Sequence, residues 1–314
     1  MSRAAWVRHV VALASYTVLS ITATWPLVRN FDSRLIGDAH QDQMHSVWIL
    51  WHTDEWLHGR EALFSTDLLY HPRGISILTD GVGVMSGFVS LPFWHWGPSA
   101  AYNGSMLVGL VLSGYCMFLL ARGLGFGTGV SLFGGAVLLM SAEHLAGVAG
   151  HIEKVFVGLL PLALLAIIRA LHPSRRRWWL LAPPATLLGL LLYSGYQFMY
   201  GALAIVGFTF VALWQHRAHW REVVARAGVV ALLSGIVTVP LLLAITRATS
   251  APGLAQDLRV NVTSGFYAPD VLQFLTPSFF HAGYRLVDGR LPTLIRADSF
   301  YGIFIVTDVS MKMP

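Results

Sequence analysis

The chain has 314 residues, 55% hydrophobic and 12% charged, and its mean hydropathy is +0.60. Soluble domains carry about 25% charged residues, so this composition excludes an ordinary soluble protein and defines an integral membrane protein. The net charge of +5 does not point to nucleic acid, because the arginines are spread over loops between apolar stretches, where orientation in a bilayer accounts for them.

The first apolar stretch runs from about His9 to Val28, behind Arg3 and Arg8. It imitates a signal peptide but ends in Trp25-Pro26 without a small-x-small cleavage site, so it reads as a retained anchor with a cytoplasmic N-terminus. The segment 29–98 follows, with eight carboxylates: Asp32, Asp38, Asp42, Asp54, Glu55, Glu61, Asp67 and Asp80. Within it the spacing predicts a helix from Asp42 to His58, with Met44, Val47, Trp48 and Trp51 on one face, lying flat in the headgroup layer. The segment 82–96 is short and Gly-bearing and ends in Trp94 and Trp96, so it reads as interfacial or re-entrant.

Spanning stretches then recur at 99–121, 123–142, 155–168 with its flanks, 178–215 and 227–246. The 38 uncharged residues of 178–215 are too many for one helix, and Ser194-Gly195 divides them. The expected fold class is therefore all-α integral membrane, with seven spans in residues 1–246 and a large first external loop. Positive charge supports this count. Arg3, Arg8, Arg122, Arg169, Arg175–Arg177, Arg217, Arg221 and Arg226 then share one side, while 14 of the 16 carboxylates lie on the other. A second external loop, 247–298, completes the outer face. Residues 299–314 begin like an eighth span, but Thr307-Asp308 stops the apolar run. Cys116, the single cysteine, lies in an apolar run and excludes an intrachain disulfide or a cysteine metal cluster.

Two clusters could carry chemistry. Asp38 and Asp42 sit just beyond the outer end of the first span, where a partly desolvated carboxylate could act as general base or hold a divalent cation at a phosphate. The alternative is that Asp42 caps the helix after it and Asp38 occupies a Gly turn. Glu143, His144, His151, Glu153 and Lys154 lie at the outer junction of the third and fourth spans. They either bind an anionic lipid head or are end residues that set helix depth. There is no His-Glu-x-x-His pattern for a zinc hydrolase. Tyr193, Tyr196 and Tyr200 surround the next outer turn, as a sugar platform or as an interfacial belt. Arg296 and Asp298 are the charges of the last loop best placed to reach a head group.

Several stretches in order carry a family likeness. They are Thr24-Trp25-Pro26-Leu27, Gly37-Asp38 with Asp42, Trp48 to Trp51, the segments 66–74, 97–103 and 112–122, Gly150-His151 leading into 160–165, and Thr276-Pro277-Ser278. Together they resemble the GT-C superfamily, multi-spanning glycosyltransferases that use polyprenyl-phosphate sugars, and in particular its mannosyltransferase-like or YfhO-like bacterial members. The resemblance implies a seven-helix module in a cell inner or plasma membrane, with an acidic residue of the first loop as catalytic base or cation ligand. That role maps onto Asp38 or Asp42. It also implies functional residues between the third and fourth spans, here Glu143, His144, His151 and Lys154; with Tyr196 and Arg296, singled out by their own positions, these are the substrate-binding candidates. A divalent cation is compatible with this, and no organic cofactor is expected. The partners it implies are a polyprenyl-phosphate sugar and membrane lipid, with no nucleic acid. The spacing from Asp38 to Asp42 is one residue longer than the family's Asp-x-x-Asp, and the chain stops where members continue, so 299–314 reads as the start of a truncated eighth span. A transporter or flippase, or an inactive truncated copy, are the alternatives.

Overall fold

The computed structural model describes residues 3–37, 42–69, 71–72, 74–80, 83–148, 150–249 and 307–308. Asp38, Arg296 and the segment 250–306 lie outside the described residues, as does the Glu143 side chain.

The protein is mostly helical. Helix α1 (Arg3–Ala23) leads into the first loop, which holds β1 (Arg34–Leu35), α2 (Gln43–Leu57), β2 (Ser65–Thr66), β3 (Ile75–Ser76) and α3 (Val84–Ser90). The remaining helices are α4 (Pro98–Gly123), α5 (Thr128–Leu139), α6 (Ala142–Val148), α7 (Leu159–Leu171), α8 (Ala182–Tyr193), α9 (Gly195–Gln215) and α10 (Trp220–Thr249). Strands β2 and β3 form a hairpin, and β1 pairs antiparallel with β4 (Thr307–Asp308). Among the described residues four segments are long and apolar enough to cross a membrane: 98–123, 152–171, 195–215 and 217–248. Helix α5 is apolar but has only 12 residues. The segment read as interfacial, 82–96, forms α3 and a 3-10 helix, Leu91–Trp96, neither long enough to cross a bilayer.

Helix α4 is the central element. Its mean hydropathy is high, yet more than half of its apolar window is buried in protein rather than left for lipid. Small residues let its neighbours approach, as membrane helices require where water supplies no driving force between them. Tyr16 of α1 is buried between Gly114 of α4 and Gly135 of α5, and its hydroxyl donates to the Leu132 carbonyl at 3.1 Å. One residue earlier on α4, Ser113 Oγ donates to the Val155 carbonyl at 3.0 Å and accepts from Gly158 N at 3.1 Å, locking the start of α7 onto α4. One apolar core joins α1, α4, α5 and the first loop, and a second joins α7 to α10.

The helices run between two ends. At one end Arg169 donates to the Gly123 carbonyl at 3.0 Å. Arg226 is 7% exposed there and donates to the carbonyls of Ala170, Pro173 and Arg175, with Glu222 at 3.0 Å completing its partners. These are one C-terminal carbonyl of α7 and two of the turn that follows it, and a guanidinium is the side chain best able to cover several of them. His172 and His216 meet at the same end, with ring centroids 4.9 Å apart. At the other end Asn103, at the start of α4, is fully buried and pins the first loop. Its Oδ1 accepts from Ile36 N at 3.0 Å, and its Nδ2 donates to the carbonyls of Phe31 and Arg34 at 2.8 and 2.7 Å.

Helix α2 exists where the periodicity put it, but its buried stripe is rotated. Gln43, Ser46, Val47, Leu50 and Thr53 face the protein, Met44 is exposed, and Trp48 and Trp51 are half-buried. The cause is α3: Gly87 sits so close to Thr53 that a side chain there would overlap it. Gln43 is tolerated inside because its amide donates to the Ile36 carbonyl at 2.6 Å.

Candidate functional site

The first loop and the turn before α7 meet at the loop end of the bundle. Asp42 stands immediately before α2, and its side chain makes no capping bond to that helix. Asp42 thus occupies the N-cap position without a side-chain bond to the helix; its carboxylate is 72% exposed, and the Nδ1 of His151 lies 3.8 Å from Asp42 Oδ2. The same Nδ1 is 3.1 Å from Glu153 Oε1. His151 is placed by its own backbone, which donates to Gly147 at 2.8 Å, and by the 3-10 turn Ile152–Lys154 that follows.

That turn is anchored from behind. Tyr193 is fully buried at the end of α8, where its hydroxyl bonds the Ile152 carbonyl and accepts from Phe156 N at 2.6 Å. Gln197, in the first turn of α9, donates to the Glu153 carbonyl at 2.9 Å. Three segments that are remote in sequence, around Asp42, 147–154 and 193–197, therefore bring one imidazole to two carboxylates. With one N–H at Nδ1, a neutral His151 satisfies Glu153, the nearer acceptor.

The remaining sequence candidates separate. His144 is 2% exposed and turned inward, with Nε2 on the Val155 carbonyl and Nδ1 3.2 Å from the Leu138 carbonyl, so in this arrangement it braces the 144–155 turn. Burial pushes its pKa down, against carbonyls that favour the charged ring. Lys154 is half-buried beside the cluster, and its Cβ lies against Gly147. Tyr196 is 72% exposed and contributes no contact to the cluster, whereas Tyr193 does so through the backbone it holds. Among the described residues no three His, Cys, Asp or Glu side chains are grouped to hold a metal ion. Sequence reasoning gave Gln197 and Asn103 no role. Their signal was available, because each is a lone amide in an apolar stretch, where an amide needs partners.

The arrangement can take a proton at an exposed carboxylate and hold an anionic group at a neighbouring imidazole and ammonium. Compared with family models, curated proteins and solved structures, the chain matches none.

Proposed function

We propose that this chain is the membrane module of an inverting glycosyltransferase that moves a sugar from a polyprenyl-phosphate donor to an acceptor hydroxyl. The observation that carries this reading is the meeting of Asp42 with His151 and Glu153, an exposed carboxylate backed by an oriented imidazole. In this reading α1, α4, α5, α7, α8, α9 and α10 are seven spans of a cell inner or plasma membrane. The loop end faces outside and the arginine end faces the cytoplasm, in keeping with the positive-inside rule.

The donor enters laterally from the outer leaflet. Asp42, or Asp38 beside it in sequence, removes the acceptor proton as the acceptor oxygen bonds the anomeric carbon. The bond from that carbon to the phosphate oxygen breaks, and the lipid phosphate leaves with the electron pair. His151, Lys154 and Arg296 offset its charge. Glu153 and Gln197 act through position alone.

The test follows transfer of labelled sugar from a polyprenyl-phosphate donor in membranes holding matched amounts of protein. Asp42→Asn should lower the rate about 100- to 10,000-fold, as loss of a general base does. Its effect on stability should stay within about 0.5 kcal/mol, because the side chain is largely solvated. Wild-type rates in both Asp42→Asn and Asp38→Asn would sink the proposal.

A further inference from the structure

A second site lies on the first loop, away from the Asp42 cluster. The hairpin β2–β3 and the residues leading into it enclose an open cavity of about 520 Å³, lined by Arg60, Glu61, Ser65, Asp67 and Ser76 among others. Its rim is fixed by Gly74, whose φ of +67° and 2.7 Å approach of a would-be Cβ to the Thr66 carbonyl exclude any other residue without distortion.

Most polar groups on the walls are already engaged. Arg60 holds Glu55 through both Nε and Nη2, the latter at 2.8 Å, and the pair drives the Glu55 carboxyl below its ordinary range. Ser76 Oγ donates to the Phe64 carbonyl at 3.2 Å, and Thr66 Oγ1 accepts from Leu68 N at 3.2 Å. Two carboxylates remain. Asp67 is exposed, and Glu61 is 16% exposed with its Oε2 3.8 Å from the Nε2 of His52. Among the described residues no lysine or arginine pairs with either. His52 is itself 2% exposed, and its Nε2 is buried without a hydrogen-bond partner, set directly behind the Glu61 carboxylate.

We propose that this cavity binds ligands through a primary ammonium group held by Glu61 and Asp67. Among the described residues the charged groups left uncommitted on this lining are two carboxylates, and a pair of anions takes a cation rather than a neutral hydroxyl. A metal ion is the weaker fit, because no third ligand stands with them among the described residues. Burial drives the His52 ring toward its neutral form, against Glu61, the Ser65 backbone and Glu55, while the ring of Trp48 covers it at 5.3 Å. At neutral pH the charge of Glu61 is therefore available to a ligand. As pH falls below the ordinary histidine range, His52 gains a proton, pairs with Glu61 and competes with the ligand. The site stands about 15 Å along α2 from Asp42, at 1.5 Å per residue, and does not depend on the transferase reading.

The test is calorimetry on the full chain in nanodiscs at low salt, with 1,4-diaminobutane as probe and 1,4-butanediol as its neutral counterpart. The diamine should bind saturably at pH 7.5 and the diol should not. Glu61→Gln and Asp67→Asn should each weaken binding about tenfold, and binding should weaken again at pH 5.5. Asp67 is exposed, so its variant keeps the test valid if Glu61→Gln disturbs the loop. Equal binding of the diol, unchanged affinity in the two variants, or saturable calcium binding lost in the same variants would overturn the assignment.

Discussion

Asn103 shows how much of this fold can rest on one side chain. It satisfies one buried backbone N–H and two partly buried carbonyls of the first loop. Asn103→Ala leaves those groups without partners, at about 1–3 kcal/mol for each buried group. The expected loss is about 3 kcal/mol or more, read as a lower melting temperature together with faster cleavage at the exposed Arg60. His144 and His52 supply a pH dependence. Both rings are held below the ordinary value of 6.5, in each case chiefly by burial. A depressed folded-state pKa means the unfolded chain binds more protons, so the stability they contribute is present above about pH 6.5 and is lost as pH falls below it. Melting temperatures at pH 7.5, 6.5 and 5.5 should fall in that order, and His144→Gln should flatten the trend. The sequence displayed these residues but not their roles, because a histidine between two carbonyls and a histidine facing a ligand have the same spacing along the chain.

Elements were more legible than their facing. A long apolar run forces a helix wherever it occurs, so the positions of α4, α7, α9 and α10 followed from composition. The orientation of α2 about its axis did not, because it depends on where glycines open room on α3 and on a carbonyl waiting for Gln43. The same contrast can be measured in α5. A methyl added at Gly135 would overlap Tyr16 and the Gly114 carbonyl, whereas one at Gly134 meets only Met117 Cε at 3.9 Å. Gly135→Ala should therefore destabilise by about 1–3 kcal/mol, as overpacking does. Gly134→Ala should be neutral, or stabilising by up to about 1 kcal/mol from helix propensity. Equal melting temperatures for the two variants would mean that α1, α4 and α5 do not meet at these glycines.

At the scale of the whole molecule, charge pattern and packing converge independently. The arginine loops were grouped from sequence because positive charge resists translocation. In the fold, Arg169 and Arg226 bind carbonyls at the ends of α4 and α7, and His172 touches His216 beyond α9, so those loops do share one end. The acidic first loop packs at the other, where Leu78 and Val84 lie with Leu241 and Ile245 of α10. What charge could not supply is the meeting of Asp42 with His151, since it requires the first loop to fold across the bundle onto a turn about a hundred residues later. The two-ended arrangement makes a membrane orientation testable with single cysteines on a Cys116→Ala background. Ser65 and Ser174 are both exposed, one at each end. A membrane-impermeant maleimide applied to intact cells should label a cysteine at 65 and leave one at 174 unmodified until the membrane is opened. If 82–96 crossed the bilayer, the order of every later helix would invert, and 174 would be labelled from outside along with 65. Labelling of both positions in sealed cells would thus reject seven spans and, with them, an external position for the Asp42–His151 pair.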